Sequence, residues 1–312
     1  MTRDPETAPK LTLAIPTFNR AFYVTSAIES LRRQANASDR WRVVVADNNS
    51  TDDTNARLRA LAAAWPRLTV LFVAEPGASI ARNRALEEAA KGYVLYADDE
   101  CKFPPDYIDR ALAIIDTHAP KMFGGPILPW YVTKPPAWFP PDYGSYSLPW
   151  ATGKADRVSL SAGNMGFEVE ALRSIGGFDA ARGPRGTRMA FGEETAVENL
   201  MLETFGPGSV WFDPEFVNFH AVRPEKYRWR NLVREQFQRG VARAQLANAA
   251  TSGASGRMPV PCCLRPRASP PGVAARQPSC LRHDVLNVTL GIVRRLGGLW
   301  VKCRRRTRDR AG

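Results

Sequence analysis

Hydrophobic residues in the first 125 positions follow two patterns that alternate along the chain: short apolar runs, and segments in which apolar residues recur every three or four positions. Four continuous apolar runs have the length and the β-branched or aromatic content of buried strands. They are residues 11–15, 41–46, 68–73 and 93–96. Between the runs, apolar residues recur every three or four positions, as at Val24, Ile28 and Leu31, which is the spacing of one helix face. The pattern therefore predicts strands that alternate with helices.

Strands and helices that alternate at this short spacing are typical of βαβ units. They predict an α/β fold with a mostly parallel central sheet flanked by helices. Because the loops after parallel strands gather at one edge of the sheet, polar residues that end these strands are candidates for one site. The predicted divisions are a disordered segment at 1–10, a domain at 11–250 with halves at 11–125 and 126–250, a disordered linker at 251–282 and a basic amphipathic tail at 283–312.

Three consecutive acids follow the fourth apolar run: Asp98, Asp99 and Glu100. Adjacent carboxylates repel one another, and a site that keeps them together usually holds a cation, most readily Mg²⁺ or Mn²⁺ that bridges to phosphate oxygens. The alternative is an acidic turn that caps the next helix, because Pro104 and Pro105 open a helical pattern just downstream. On this segment alone, both interpretations stay open.

The pattern breaks between residues 126 and 150, where seven prolines and seven aromatic residues occur. Such a segment cannot form a regular helix. Its rings, among them Trp130, Phe139 and Trp150, could form a stacking surface for sugars or could fold back onto their own domain.

The net charge of +12 lies almost entirely in the last 62 residues. Residues 251–312 hold 13 Lys or Arg against 2 Asp or Glu, a net charge of +11, which leaves about +1 for the first 250 residues. The tail also carries apolar residues at three- and four-residue spacing, from Val285 to Leu299. This combination predicts contact with an anionic membrane surface, with a helix packed on the body or a disordered tail as alternatives.

Six short motifs occur in order along the chain. They are IPTFNR at 15–20, VADNNSTD at 45–52, GASIARN at 77–83, DDE at 98–100, GGFD at 176–179 and GEE at 192–194. In this order and spacing they resemble the signature series of family 2 glycosyltransferases with the Rossmann-like GT-A fold, over roughly residues 11–245. The resemblance implies transfer of a sugar from a nucleotide-sugar donor to an acceptor hydroxyl, with inversion at the anomeric carbon.

On the donor side, the resemblance implies that Pro16, Thr17 and Asp47 hold the nucleobase and ribose. It places Arg82 and Asn83 under the nucleotide. A carboxylate at a strand end can accept the imide N–H of uracil, so a UDP-sugar is the expected donor. The alternative for Asp47 is a turn or a helix cap formed by its side chain.

In the metal motif, Asp98 and Glu100 correspond to the outer acids of the family's Asp-x-Asp, and Asp99 lies between them at the donor. His220, expected just after a strand, matches a histidine that relatives place near the metal or diphosphate. Mn²⁺ or Mg²⁺ is the expected cofactor. The final Glu departs from the family pattern, but its longer side chain still offers an oxygen ligand.

For the chemical step, the resemblance places the general base at Glu194, with Glu193 as the alternative. A carboxylate there would take the proton of the acceptor hydroxyl while the diphosphate leaves on the opposite face. Two acids at a helix start could instead merely complement its dipole. Asn164 and Asp179 are expected on the acceptor side.

These features predict a metal-dependent glycosyltransferase of surface glycan or polysaccharide biosynthesis, with a carbohydrate or lipid-linked glycan as acceptor. A nucleotidyltransferase is the alternative enzyme, although residues 16–19 lack its glycine- and basic-rich loop. A non-catalytic protein that binds nucleic acid through the tail is the other alternative, although the near-neutral body leads us to expect no nucleic acid. The first residues lack a signal-peptide pattern, so we expect a cytoplasmic protein, peripheral at the inner face of the cell membrane.

Overall fold

A computed structural model describes residues 9–35, 38–140, 143–146, 152–155, 160–186, 189–252 and 289–301. The predicted disorder of residues 1–8, most of the predicted linker and Trp150 lie outside this part of the chain. The chain divides into two compact units. The first comprises Met1–Trp130, Gly144–Arg188 and Glu193–Val222, and the second Tyr131–Tyr143, Met189–Gly192 and Arg223–Gly312. The predicted boundary at residue 125 stays a prediction.

The predicted alternation of strands and helices is confirmed up to residue 118. The strands are β1 (Leu11–Thr17), β2 (Trp41–Asp47), β3 (Leu68–Phe72), β4 (Tyr93–Tyr96), β5 (Cys101–Lys102), β6 (Met122–Gly124), β7 (Ile127–Tyr131), β8 (Gly153–Ala155), β9 (Met165–Glu168), β10 (Val210–Phe212) and β11 (Asn218–Val222). The helices are α1 (Ala21–Arg32), α2 (Thr54–Ala64), α3 (Ala78–Glu88), α4 (Tyr107–His118), α5 (Val169–Ser174), α6 (Glu193–Phe205), α7 (Trp229–Ser252) and α8 (residues 289–301).

The main sheet has the strand order β3-β2-β1-β4-β9-β6-β10-β8. β1, β2, β3 and β4 are parallel, and the register pairs Thr17 with Asp47 at the ends of their strands. Beyond β4 the sheet is mixed, because β9 runs antiparallel to both of its neighbours. The α/β fold with a mostly parallel sheet is therefore confirmed, and the carboxyl ends of β1, β2 and β4 meet at one edge.

Both faces of β1, β2 and β4 are buried, which explains why their sequences are mostly apolar runs. Side chains alternate between the faces, so Leu13 and Leu95 join the core that covers α1 and α4. Ala14 and Val94 join the opposite core, with residues of α3, α5 and α6. On α6, Val197 and Met201 are buried, whereas Leu200 is exposed.

A second, smaller sheet has the order β5-β11-β7. The segment predicted to exclude a regular helix begins with the strand β7, which tolerates Pro129 because an edge strand can lack a hydrogen-bond donor. In the first unit, the Lys102 ammonium lies 3.3 Å from the ring centre of Trp130. In the second unit, Phe139 is buried with its ring centre 4.8 Å from that of Tyr143, so this ring folds back onto its own domain, which was the alternative to sugar stacking.

Candidate active site

The three acids lie immediately after β4, as predicted. Asp98 and Asp99 are partly exposed, whereas Glu100 is buried, and the Cys101 N–H donates to the Asp98 carbonyl across the turn. The short strand β5 separates the acids from α4, which begins only at Tyr107. The acids therefore do not cap that helix, and the capping alternative is wrong.

His220 joins the acids from the second sheet. It lies within β11, not after a strand as expected, and pairs there with Cys101 of β5. Its Nε2 lies 3.5 Å from Asp98 Oδ2 and 3.3 Å from Glu100 Oε1. Strand pairing thus places the imidazole beside both outer acids of the motif.

Asp98, Glu100 and His220 bring two carboxylates and an imidazole together, and both kinds of group can bind divalent cations. Ligand atoms at right angles around an ion of Mg²⁺ size lie about 3 Å apart, a little less than the two observed separations. Among the described residues, no group of three or more His, Cys, Asp or Glu has the geometry of a metal site. An open set of this kind suits a hard cation that takes its remaining ligands from water and substrate phosphates.

Asp99 points toward β1. The Thr17 hydroxyl donates to Asp99 Oδ2 at 2.7 Å, and Thr17 itself is buried. Burial of the carboxyl, and then the negative charge of Glu100, raise the pKa of Asp99 to about 7. Pro16 lies beside this contact at the end of β1, partly exposed. Thr17 and Asp99 therefore join β1 to β4, and their donor roles stay predictions.

Asp47 has no exposed surface. Its Oδ1 accepts the Ser50 N–H at 3.1 Å, and its Oδ2 accepts the Asn55 side-chain amide at 2.8 Å. The carboxylate thus shapes the turn between β2 and α2, which is the alternative left open by the sequence. The expected contact with a nucleobase is not available in this conformation.

Arg82 is buried between the acids and α6. Its Nη1 donates to Glu193 Oε1 at 3.0 Å, and its Nη2 lies 3.8 Å from Asp98 Oδ1. Burial alone would lower the pKa of Arg82, but the charges of Glu193, Glu194 and Asp98 outweigh it and raise that pKa. The guanidinium of Arg82 is thus enclosed by carboxylates, and its expected place under the nucleotide stays a prediction.

Asn83 connects two of the sequence motifs. Its Oδ1 accepts the Phe178 N–H at 2.8 Å, and its Nδ2 donates to the Phe178 carbonyl at 2.7 Å. Gly177 has a φ of 72°, and a Cβ there would lie 2.7 Å from Asn83 Oδ1. Asn83 therefore holds the loop before Asp179 in place, and its expected nucleotide contact stays a prediction.

The two acids that begin α6 have different surroundings. Glu193 is buried against Arg82. Glu194 is only partly buried, and its Oε1 accepts the Ala162 N–H at 3.0 Å. Burial of the carboxyl, and then the charge of Glu193, raise the pKa of Glu194 to about 7, where a general base works best near neutral pH.

A single turn, Ala162–Asn164, links the acid cluster to Glu194. Ala162 donates to Glu194, and a Cβ on Gly163 would lie 2.8 Å from Asp98 Oδ2. The sequence analysis did not single out Gly163. The three small residues at 161–163, which come shortly before β9, were a usable signal of a close backbone approach. This turn fixes the position of the base candidate relative to Asp98.

Asn164 anchors that turn and is fully buried. Its Oδ1 accepts the Tyr107 hydroxyl at 2.7 Å, and its Nδ2 donates to the carbonyls of Phe216 at 2.7 Å and Pro126 at 3.1 Å. These contacts give Asn164 a structural role, and its expected acceptor-side role stays a prediction. Asp179 is exposed and accepts the Ala181 N–H at 2.8 Å, so its acceptor-side role stays a prediction.

The acids lie at the carboxyl edge of the parallel strands, where open α/β sheets bind their ligands. The model of glycosyl transferase family 2 matches residues 12–176, more than half of the chain. The chain belongs to this family.

Individual relatives agree with this assignment. The succinoglycan biosynthesis protein ExoA of Rhizobium meliloti is 37% identical over 114 residues, 35% of this chain and 34% of ExoA. The mannosyltransferase PcManGT from Pyrobaculum calidifontis, solved with GDP-Man and Mn²⁺, gives a TM-score of 0.57 at 20% identity, covering 81% of this chain and 67% of that chain. The structure of Staphylococcus aureus TarS 1–349 in complex with UDP-GlcNAc gives a TM-score of 0.52 at 17% identity. The match covers 78% of this chain and 73% of that chain.

The solved structures show that this chain has the GT-A fold. The chain spans less than half the length of the relatives it matches by sequence. The comparisons give no support to the nucleotidyltransferase or nucleic-acid-binding alternatives.

Proposed function

We propose that this protein is an inverting glycosyltransferase that moves a sugar from a nucleotide-diphosphate sugar to an acceptor hydroxyl. The observation that carries the proposal is the placement of Glu194. It is a partly exposed carboxylate held by Ala162, on the turn whose next residue, Gly163, packs on Asp98. A single displacement requires the base and the diphosphate site to be held in fixed relative positions, and here one turn would hold both.

In the proposed reaction, Glu194 accepts the proton of the acceptor hydroxyl. The acceptor oxygen forms a bond to the anomeric carbon while the bond from that carbon to the β-phosphate oxygen breaks. The electron pair of the broken bond leaves with the nucleoside diphosphate. Attack opposite the leaving group inverts the anomeric configuration.

Asp98, Glu100 and His220 are the residues proposed to hold a divalent cation. When bound, Mn²⁺ or Mg²⁺ would neutralise charge on the donor diphosphate. The partial exposure of Asp98 and the proximity of His220 to both outer acids support this assignment. Arg82, with its charge already balanced by carboxylates, is proposed to position α6 and not to bind phosphate.

The donor and the acceptor are proposed by class. Solved proteins with this fold hold UDP-GlcNAc or GDP-Man, so a nucleotide-diphosphate sugar is the proposed donor, with a UDP-sugar tested first. ExoA is named for succinoglycan biosynthesis, which supports a carbohydrate or lipid-linked glycan as acceptor in polysaccharide assembly.

A binding screen tests the proposal. Thermal shift and titration calorimetry with UDP- and GDP-sugars, each with Mn²⁺, Mg²⁺ or EDTA, should identify a donor that binds only with metal. Asp98→Asn should abolish that binding, whereas Asp109→Asn, an exposed acid on α4, should not. If no nucleotide sugar binds under any metal condition, the proposal is wrong.

A further inference from the structure

Glycines bring α7 and α8 of the second unit into close contact. A Cβ on Gly240 of α7 would overlap the backbone carbonyl of Arg294, and one on Gly297 of α8 would overlap the carbonyl of Phe237. A Cβ on Gly298 would lie 3.6 Å from the carbonyl oxygen of Gly240. Gly240, Gly297 and Gly298 therefore allow the two helices to approach backbone to backbone.

This contact leaves an apolar stripe on the opposite side of α8. Leu290 and Gly297 are buried, at positions that face α7. At 100° per residue, Ile292, Leu296 and Leu299 lie on the other side, and each is 51–54% exposed. Since α8 is already held by α7, the stripe contributes nothing to that contact.

Basic residues flank and follow the stripe. Arg295 is exposed, and at 100° per residue it lies at the edge of the stripe next to Leu299. Arg294, at the α7 contact, is close enough to Arg239 and Arg243 that burial and these two charges lower its pKa. Six further Lys or Arg residues follow α8 in the sequence, outside the described residues, against one acid.

We propose that the stripe Ile292, Leu296 and Leu299 binds an anionic membrane surface. Its apolar side chains would enter the boundary between headgroups and acyl chains, and Arg295 with the basic residues that follow α8 would meet anionic lipid. No helix in the described part of the chain is long and apolar enough to cross a membrane. The charge pattern selects this occupant, because a stripe meant for a second copy of this chain would bring two sets of arginines together.

Vesicle co-sedimentation of the full chain tests the proposal. Wild-type protein should pellet with vesicles that contain one quarter phosphatidylglycerol, remain in solution with pure phosphatidylcholine, and be released at high salt. Replacing Ile292, Leu296 and Leu299 together by Gln should weaken binding about tenfold or more. Arg295→Gln should weaken it severalfold at low salt only.

The control removes exposed apolar surface elsewhere. Phe22→Ser combined with Phe72→Ser changes two exposed rings of the first unit and should bind vesicles as wild type does. Circular dichroism should show that the triple variant keeps its helix content. The proposal is overturned if the triple variant binds vesicles as wild type does. It is also overturned if wild type does not bind vesicles while light scattering shows that wild type self-associates and the triple variant does not. Because the readout is lipid binding, it is independent of glycosyl transfer.

Discussion

Arg82 donates a hydrogen bond from Nη1 to Oε1 of Glu193 at 3.0 Å, with both side chains almost fully buried. The pair joins α3 to the first residue of α6, and Glu194 is the next residue of that helix. The position and charge of the proposed base therefore depend on a buried ion pair. The sequence alone assigned Arg82 to the nucleotide.

Breaking this pair should destabilise the protein strongly. Arg82→Met leaves Glu193 buried without its cation, which should cost about 3–5 kcal/mol in the free energy of unfolding measured with urea. Arg84→Met on the same helix removes an exposed pair with Glu87 and should cost less than about 1 kcal/mol. Equal losses in the two variants would contradict the interpretation.

The transfer rate should depend on the protonation of Glu194. A general base works only when deprotonated, so with a pKa of about 7 turnover should rise nearly tenfold per pH unit below 7 and level off above it. The measurement is turnover at saturating donor between pH 5.5 and 8.5. A rate that is flat over this range, or that falls as pH rises, would rule out this role.

Gly163 should be sensitive to a single added methyl group. A Cβ there would lie 2.8 Å from both Asp98 Oδ2 and Ile127 Cδ1, so Gly163→Ala must displace the Asp98 carboxylate. We expect metal-dependent donor affinity to fall about tenfold, since loss of one well-placed ligand interaction is worth on the order of 1.4 kcal/mol. Calorimetry measures it, and Gly291→Ala, where the Cβ meets no atom within 4 Å, is the control. Unchanged affinity in Gly163→Ala would contradict the role of the turn.

Asn164 should act on stability and not on acceptor affinity. Asn164→Leu leaves the Tyr107 hydroxyl and the carbonyls of Pro126 and Phe216 without this partner, and each buried group left unpaired costs about 1–3 kcal/mol. Thermal unfolding should show a clear loss of stability. A raised KM for the acceptor with unchanged stability would instead support the acceptor-side role predicted from the sequence.

Periodicity and strand-end chemistry were enough to predict the α/β fold and the position of the acid cluster. Those features depend on local sequence, as with the apolar run before Asp98. The side-chain partners were not predictable, because Arg82 and Glu193 are 111 residues apart and pair only after the sheet forms. The burial of Asp47 and Asn164 was missed for the same reason: a polar residue at a strand end or loop has the same sequence signature whether it faces a ligand or the interior.

The most direct test of the central claim is the turnover of Glu194→Gln at saturating donor and metal, measured together with its donor dissociation constant. The account predicts that release of the nucleoside diphosphate slows about a hundredfold or more, because the acceptor proton has no base, while donor affinity stays within about threefold of wild type. Wild-type turnover by Glu194→Gln would contradict the account. So would an inactive Glu193→Gln that remains stably folded beside an active Glu194→Gln, since the base would then be Glu193.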